Sequence, residues 1–177
     1  MASDKYREAV RYLRKGELIV YPTDTVYGIG GDATSKRVVE KLRRVKNRPA
    51  DEYFTVMVSD FEMLQKWAKM DKIQERTARG LLPGPYTIIL EPRRKMHVSP
   101  HTVGFRIPAH ESAKLAKLFG KPITATSANL HGQSTPHNVA DIKKIFGDKI
   151  AYYIPGGKLH KPPSRILDLV RMEVVRP

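Results

Sequence analysis

The residues of this chain best suited to binding an anion are a lysine and an arginine two positions apart. Lys46 and Arg48 follow a helical pattern that stops before Pro49. Proline disfavours helical backbone in the residue before it, so Arg48 is expected to lie outside the helix. An arginine binds phosphate as a planar fork, and a lysine binds it as a point charge. The pair therefore predicts a site that could hold a polyphosphate.

A second polar pair with the same spacing follows an apolar run much later in the chain. Ser127 and Asn129 come after the strand-like segment 122–126. If the strand continues, the two side chains point the same way, and the small Ala128 between them leaves room for a ligand. The alternative is a strand end capped by polar residues. Since no histidine and acid are paired with Ser127, we predict no covalent catalysis by this serine.

The segment YPTDTVYGIG, residues 21–30, carries more polar residues and glycines than a turn requires. Thr23, Asp24 and Thr25 directly follow the apolar run 17–21. One interpretation is a turn in which these side chains satisfy free backbone groups. The other is a set of polar groups at the end of a strand, where α/β proteins commonly bind ligands. The glycines match neither the P-loop nor the dinucleotide fingerprint, so both interpretations stay open.

These polar segments are separated by alternating helical and strand-like patterns. Helices are predicted over 4–15, from 35 to before Pro49, twice within 60–80, and over 110–119 and 138–146. Strands are predicted over 17–21, 53–59, 86–92, 102–108, 122–126, 150–154 and 164–170. Interleaved elements of this kind indicate an α/β or α+β fold around a central twisted sheet. The chain has 177 residues and no linker-like stretch, so we expect one domain over residues 1–177.

Charge is the feature of the composition that departs most from an ordinary globular protein. The chain has 32 Lys and Arg against 18 Asp and Glu, which leaves a formal net charge of +14. Such an excess attracts polyanions, so one interpretation is a nucleic acid or a phosphorylated ligand. The other is a solvated surface rich in lysine and arginine, as in basic proteomes and thermophiles.

The composition also excludes several classes of site and location. There is no cysteine, so disulfides and thiolate metal sites are excluded. His97 and His101 have Pro100 between them, which argues against a helix that presents both to one metal, and we predict no protein-bound metal. No apolar run approaches the ~20 residues that span a bilayer, and the first residues lack the apolar centre of a signal peptide. We therefore expect a cytoplasmic protein without a membrane partner.

Six segments form an ordered set along the chain: YPTDTVYG, KNRP, PGPYTIIL, TVGFRIP, ITATSANLHG and PSRILDL. Together they resemble the YrdC-like family, the threonylcarbamoyl-AMP synthases of the single-domain type. No single motif is decisive, and the K-x-R followed far downstream by S-x-N is the most specific part. The resemblance implies the family fold, an open, twisted mixed α/β sheet flanked by helices with a basic concave face.

The resemblance assigns catalytic and nucleotide-binding roles to two residue pairs. Lys46 and Arg48 match the K-x-R pair that holds the triphosphate. Ser127 and Asn129 match the S-x-N pair. Further nucleotide contacts are expected from Thr102, His137 and Arg176.

The resemblance also implies contacts with L-threonine. Thr25 matches the threonine that contacts this substrate, and Arg106 is expected to pair with its carboxylate. Ser127 and Ser164 are expected to complete the amino-acid site.

Family members combine L-threonine, bicarbonate and ATP into threonylcarbamoyl-adenylate and release pyrophosphate. Mg²⁺ is expected to be held chiefly by the ATP phosphates, because few protein carboxylates are available. A downstream threonylcarbamoyl-transferase complex then modifies tRNA, so this complex and tRNA or double-stranded RNA are the expected partners. The alternative function is a non-catalytic module that binds double-stranded RNA or tRNA, or associates with ribosomes, through the same basic surface.

The chain departs from the family pattern at a few positions. Family members often have Pro-Leu and then His in the strand after K-x-R, where this chain has Tyr53, Phe54 and Met57. A methionine can pack against an amino acid but donates no strong hydrogen bond. The usual Ser-Thr of the late motif is Ser164-Arg165. These differences bear on the choice of amino acid more than on nucleotide binding.

Overall fold

The computed structural model describes residues 2–177, with side chains from residue 4 onward. The described residues contain the helices α1 Ala2–Arg14, α2 Lys36–Lys46, α3 Phe61–Trp67, α4 Lys72–Leu81, α5 Ala113–Phe119 and α6 Val139–Phe146. The strands are β1 Ile19–Tyr21, β2 Gly28–Gly30, β3 Val56–Met57, β4 Tyr86–Leu90, β5 Val103–Arg106, β6 Ile123–Thr124, β7 Thr126–Ser127, β8 Tyr152–Tyr153, β9 Arg165–Asp168 and β10 Glu173–Arg176.

The larger sheet has six strands in the order β10-β9-β4-β5-β3-β6. The β4 and β5 strands are antiparallel, with Ile88 opposite Phe105. The β9 strand runs parallel to β4, and β3 runs parallel to β5. The sheet is therefore mixed, and β5, which ends at Arg106, lies near its centre.

The smaller sheet has four strands in the order β7-β2-β1-β8. The chain passes from the larger sheet into this one at Ala125, which separates β6 from β7. The amide of Ala125 donates to the carbonyl of Thr55, 2.8 Å away, so the crossing point is tied to the segment before β3. The expected mixed α/β class is confirmed, but the strands form two sheets rather than one. Alternation of elements along the chain does not specify which strands pair.

Helix α2 begins and ends where the sequence predicts, for reasons visible in its backbone. Ser35 occupies the position before the first turn, although its side chain makes no capping hydrogen bond. Asn47 closes the helix in the left-handed conformation, with φ of 51°. The amide of Arg48 then donates to the carbonyl of Arg43 at 3.0 Å, which satisfies a free acceptor of the last turn. The helix end thus leaves Lys46 inside the last turn and Arg48 outside it.

Two apolar clusters hold the sheets and helices together. The larger contains Val38 and Leu42 of α2 together with Val56 and Phe105 of the six-stranded sheet. The smaller contains residues of α1, the four-stranded sheet and α5, together with Met57 and Ile123 of the six-stranded sheet. One face of α2 therefore packs in the larger cluster, and its other face is turned toward solvent.

Several predicted boundaries differ from the structure. The predicted strand 53–59 is reduced to β3, and the predicted helix 110–119 begins only at Ala113. Strand β10 is not predicted, because its four residues are all exposed and lack an alternating apolar pattern, and the strand forms by pairing with β9. In the described part of the chain, no helix is long and apolar enough to cross a membrane.

Candidate functional site

A pocket of about 180 Å³ lies where the two sheets meet. The four-stranded sheet contributes Thr126 and Ser127, and the six-stranded sheet contributes residues of β4, β5, β9 and β10. Its polar lining consists of Arg48, Tyr53, Thr55, Thr87, Arg106, Thr126, Ser127, Ser164 and Arg176. Residues from six distant parts of the chain therefore share one small polar cavity.

Arg106 enters this pocket from the end of β5, and an acid holds it in place. The Arg106 Nη2 lies 2.6 Å from Asp24 Oδ1, and both side chains are 7% exposed. The other Asp24 oxygen accepts from the amide of Ala109 at 3.0 Å. A buried arginine needs such a partner, because an uncompensated charge in the interior is strongly destabilising. Sequence analysis assigned no role to Asp24, although it lies in the segment that was singled out.

Thr25 supports the same arginine through the other terminal nitrogen of the guanidinium. The Arg106 Nη1 donates to Thr25 Oγ1 at 3.3 Å, and Thr25 Oγ1 lies 3.0 Å from Thr23 Oγ1. The amide of Thr25 also donates to Thr23 Oγ1 at 3.0 Å. The side chains of this segment therefore satisfy groups of the turn and also contact a residue of the pocket, while ligand binding by the segment stays a prediction.

Arg48 reaches the pocket from the loop after α2. Its Nη2 donates to the carbonyl of Tyr53 at 2.8 Å and lies 3.2 Å from Glu52 Oε2. The guanidinium also stacks over the ring of Phe54, with 4.9 Å to the ring centroid. Burial lowers the pKa of Arg48 from its ordinary value, while Glu52 opposes that effect. The Arg48 guanidinium is therefore already held in place. A phosphate that entered the pocket would compete with Glu52 for this guanidinium.

Lys46 does not line the pocket, which differs from the expected direct grip on a polyphosphate. Its side chain is buried, and its Nζ donates to the carbonyls of Ser127 and Asn129, the latter at 2.7 Å. Burial, and secondarily the charge of Arg48, lowers the pKa of Lys46 to about 7. The structure therefore joins the K-x-R and S-x-N motifs through this lysine.

Ser127 and Asn129 do not face the same way, which corrects the expectation of a continuing strand. The strand ends at Ser127, whose side chain lines the pocket. The amide of Asn129 donates to the carbonyl of Ser127 at 3.0 Å, so the backbone turns at Ala128. The Asn129 amide nitrogen donates to the carbonyls of Leu130 and Gln133, and its oxygen accepts from Thr135. Asn129 therefore closes the loop that follows.

Ser164, directly before β9, and Arg176 of β10 come together on the opposite wall. The Ser164 Oγ lies 2.8 Å from Thr87 Oγ1 on β4. The Arg176 Nε donates to the Ser164 carbonyl at 2.9 Å. Burial lowers the pKa of Arg176, and the charge of Arg106 lowers it further. Arg176 therefore adds a third guanidinium to the pocket, and no carboxylate lies within ion-pair distance of it among the described residues.

The remaining predicted contacts, Thr102 and His137, lie outside this pocket. Thr102 directly precedes β5, whereas Arg106 is at the other end of that strand. Thr102 lines a separate open groove with Arg94 and His101. His137 is exposed; its Nδ1 lies 2.6 Å from the carbonyl of Leu159, and its ring centroid lies 4.5 Å from that of His160, with the two rings tilted by 39°. The structure thus brings together Arg48, Arg106, Ser127, Ser164 and Arg176, but not these two residues.

Sequence analysis missed two threonines of the pocket, Thr55 and Thr87. Both pack closely over Gly104 of β5: a Cβ at that position would lie 2.7 Å from Thr55 Cγ2 and 2.9 Å from Thr87 Cγ2. A glycine inside a strand often marks such a close approach, so this glycine was the available signal. Met57, which replaces a family histidine, is fully buried and is not part of the pocket lining.

The electrostatics of the pocket suit an anion rather than a bare cation. Three guanidiniums meet here, and the carboxylates nearby, Asp24 and Glu52, are already paired with two of them. In the described part of the chain, no three His, Cys, Asp or Glu side chains are close enough to hold a metal. The residues present therefore fit a ligand with several negative charges, which would itself carry any divalent cation.

The sequence of this chain is similar to that of known proteins over nearly its full length. A relative from Pyrococcus abyssi named threonylcarbamoyl-AMP synthase is 37% identical over 175 residues, covering 93% of this chain and 51% of the relative. This chain thus spans about half the length of that protein. A synthase of the same name from Vibrio vulnificus is 31% identical over 180 residues, covering 96% of each chain.

Solved structures show the same similarity in three dimensions. Pyrococcus abyssi Sua5 complexed with L-threonine superposes with a TM-score of 0.88 at 34% identity, covering 97% of this chain and 53% of that one. Escherichia coli YciO superposes with a TM-score of 0.85 at 30% identity, covering 97% of this chain and 90% of that one. The two-sheet architecture is therefore shared with both proteins.

A family model covers the same region as these relatives. The model of Sua5, YciO and YrdC, described as "Telomere recombination", matches residues 11–177. The match includes every residue that lines the pocket and both motif pairs. This chain belongs to the Sua5/YciO/YrdC family.

Proposed function

We propose that this chain is a threonylcarbamoyl-AMP synthase, which combines L-threonine, bicarbonate and ATP into threonylcarbamoyl-adenylate and pyrophosphate. The observation that carries the proposal is the convergence of Arg48, Arg106 and Arg176 on one pocket. ATP, bicarbonate and the carboxylate of L-threonine are all anionic, and bringing them together requires cations that offset their mutual repulsion. Relatives named threonylcarbamoyl-AMP synthase, and the similar structure of Pyrococcus abyssi Sua5 complexed with L-threonine, support the same assignment.

The geometry suggests how the substrates are divided among these groups. Arg48 extends from the helix-end loop and is proposed to bind the triphosphate as a fork. Arg106, held by Asp24 and Thr25, is proposed to bind the carboxylate of L-threonine. Ser127, between them in the pocket, is proposed to contact the reacting groups. Ser164 and Arg176 close the opposite wall, where Arg176 is proposed to neutralise charge on the nucleotide.

The proposed reaction has two steps. The threonine amine attacks the carbon of bicarbonate and loses its proton, and water leaves, which yields the carbamate. A carbamate oxygen then attacks the α-phosphorus of ATP, and the bond to the bridging oxygen of the β-phosphate breaks, so pyrophosphate departs. The carbamate is already an anion, so the second step needs no general base. The chain's contribution is then positioning and stabilisation of charge.

Mg²⁺ is proposed to enter with ATP as part of the substrate. The pocket offers hydroxyls and guanidiniums but no free carboxylate cluster, so the phosphates themselves would be its main ligands. The arginines of the chain would then neutralise the part of the negative phosphate charge that Mg²⁺ does not offset.

The alternative of a non-catalytic RNA-binding module is less well supported. Binding an RNA backbone requires exposed cations, whereas Arg106 is buried and paired with an acid.

As partners of the enzyme we propose a downstream transferase that moves the threonylcarbamoyl group to tRNA, and tRNA itself. Similarity to YciO, an uncharacterised protein, is a reason to test the amino-acid substrate directly.

The experiment is to measure pyrophosphate release from Mg²⁺-ATP with purified protein. We expect release only when both L-threonine and bicarbonate are present, and its loss in Ser127→Ala. Substituting Ser134, which is exposed and lies outside the pocket, by alanine is the matched control and is expected to leave the rate unchanged. Release that is independent of L-threonine, or absent under all conditions, would overturn the proposal.

A further inference from the structure

The buried side chain of Lys46 connects the two motif pairs through backbone atoms. Its Nζ donates to the carbonyls of Ser127 and Asn129, and its own backbone carbonyl accepts from the amide of His131 at 2.9 Å. One residue at the end of α2 thus contacts the S-x-N segment at two points and the loop after it, at His131, at a third. Such a connection restrains both the direction and the distance of that segment.

We propose that Lys46 is a positioning residue, which holds the Ser127–Asn129 segment against the end of α2 and does not bind the triphosphate. The inference rests on the proposed function, because it assigns roles within that reaction. Within each motif pair, the two side chains point in different directions. Arg48 and Ser127 line the pocket, whereas Lys46 and Asn129 point into the protein.

The burial and hydrogen bonding of Lys46 argue against direct phosphate contact. The residue is 1% exposed, and it does not line the pocket that contains Arg48. If its Nζ left these two carbonyls to reach a phosphate, the Ser127 carbonyl would keep the amide of Asn129 as a donor, but the Asn129 carbonyl would lose Lys46. Buried carbonyls are almost always paired in native proteins, so this rearrangement is unfavourable.

The surroundings of the Lys46 side chain favour an uncharged amine, which still donates hydrogen bonds, over a charged ammonium. The charged and titratable side chains nearby are Arg48, which repels it, and Glu52 and His131, which pair with each other at 3.3 Å. No carboxylate forms an ion pair with Lys46 among the described residues. A lysine without its charge still has two N–H groups, enough for the two carbonyls that it contacts. The contact therefore does not require the ammonium.

The test compares Lys46→Met with Lys41→Met, a matched substitution one turn earlier in α2, where Lys41 pairs with Glu17 at the surface. Three quantities are measured: the Kd of ATP by calorimetry, kcat by pyrophosphate release, and amide hydrogen exchange of residues 127–135. We expect Lys46→Met to lower kcat on the order of 10²-fold, the effect of misplacing a reacting group by about 1 Å. The ATP Kd should change by less than about threefold, and exchange should accelerate within 127–135.

Two outcomes would overturn the inference. One is a rise of about tenfold or more in the ATP Kd with unchanged exchange of 127–135, the result expected for a lost phosphate contact. The other is faster exchange throughout the chain with kcat falling only as the folded fraction falls, which would mean a purely structural role. Lys46→Arg, which retains N–H donors, is expected to restore protection of 127–135 and part of kcat.

A structure of the unmodified protein with a non-hydrolysable ATP analogue decides the question even if Lys46→Met does not fold. Nζ should stay within hydrogen-bond distance of the Ser127 and Asn129 carbonyls, and its transfer to a phosphate oxygen would refute the inference. The outcomes for the proposed function are separate. If the unmodified protein released no pyrophosphate, the synthase proposal would fail, while hydrogen exchange of 127–135 would still report on Lys46.

Discussion

The carboxylate of Asp24 lies 2.6 Å from the guanidinium of Arg106, although the two residues are 82 positions apart in the chain. Both side chains are almost fully buried. The pair joins the loop after β1 to the end of β5, and therefore one sheet to the other. It also means that Arg106 has a counter-charge before any substrate arrives, so a substrate carboxylate would bind to a pair rather than to an isolated cation.

Asp24→Ala is expected to lower the free energy of unfolding by about 3–5 kcal/mol, because it leaves Arg106 buried without its acid. Asp24→Asn retains an acceptor for Arg106 and should lose less. Denaturant titration followed by circular dichroism measures both. Asp51→Ala, at an exposed position, is the control and should be nearly neutral. An Asp24→Ala protein as stable as the unmodified chain would show that Arg106 does not depend on this ion pair.

Gly104→Ala is expected to destabilise the protein by about 1–3 kcal/mol, the usual range for overpacking a core. The new Cβ would lie within 3 Å of both Thr55 and Thr87, so these side chains would move into the pocket. We therefore also expect weaker binding of L-threonine, measured by calorimetry. Gly80→Ala in α4 is the matched control: nothing lies within 4 Å of its Cβ, and helix propensity should stabilise it by about 0.5–1 kcal/mol. Equal effects of the two substitutions would contradict the close approach at Gly104.

Stability should rise with pH above neutrality because of Lys46. Burial lowers its pKa to about 7 in the folded protein, from the ordinary lysine value of 10.5. Between these two values the unfolded chain binds a proton that the folded protein has released, so raising the pH favours the folded state. Below about pH 7 the full cost of burying the charged lysine is present.

The measurement is the free energy of unfolding of the unmodified protein and of Lys46→Met at several pH values from 7 to 10. The difference between the two proteins removes the contribution of other titrating groups. As the pH rises, this difference in the free energy of unfolding should change in favour of the unmodified protein by up to about 1.4 kcal/mol per pH unit. A difference that stays constant with pH would show that the pKa of Lys46 is not lowered.

Arg48→Ala is expected to weaken ATP binding by about 1.5–3 kcal/mol, the range for charge-assisted hydrogen bonds. Calorimetric titration with ATP measures this loss. Arg44→Ala, on the exposed face of α2, is the matched control and should leave the affinity nearly unchanged. Unchanged affinity in Arg48→Ala, or an equal loss in both variants, would refute the nucleotide role of Arg48.

Much of the site could be identified from local sequence signals. The helical pattern that begins at residue 35, its stop before Pro49 and the polar residues after apolar runs all depend on neighbours in the chain. These signals predicted that Arg48 leaves the helix and that polar groups follow β1. Asp24 could not be assigned in this way, because its partner Arg106 becomes adjacent only when the two sheets pack together.

The sequence by itself determined the mixed α/β class, the end of α2 and the motif set that indicates the family. These depend on periodicity, proline and glycine chemistry and residue order, which act over short distances along the chain. Only the tertiary structure decided that the strands divide into two sheets at Ala125, that Lys46 and Asn129 point inward, and that Thr102 lies away from the pocket. The physical reason is that strand pairing and the direction of a buried side chain depend on contacts between segments far apart in sequence.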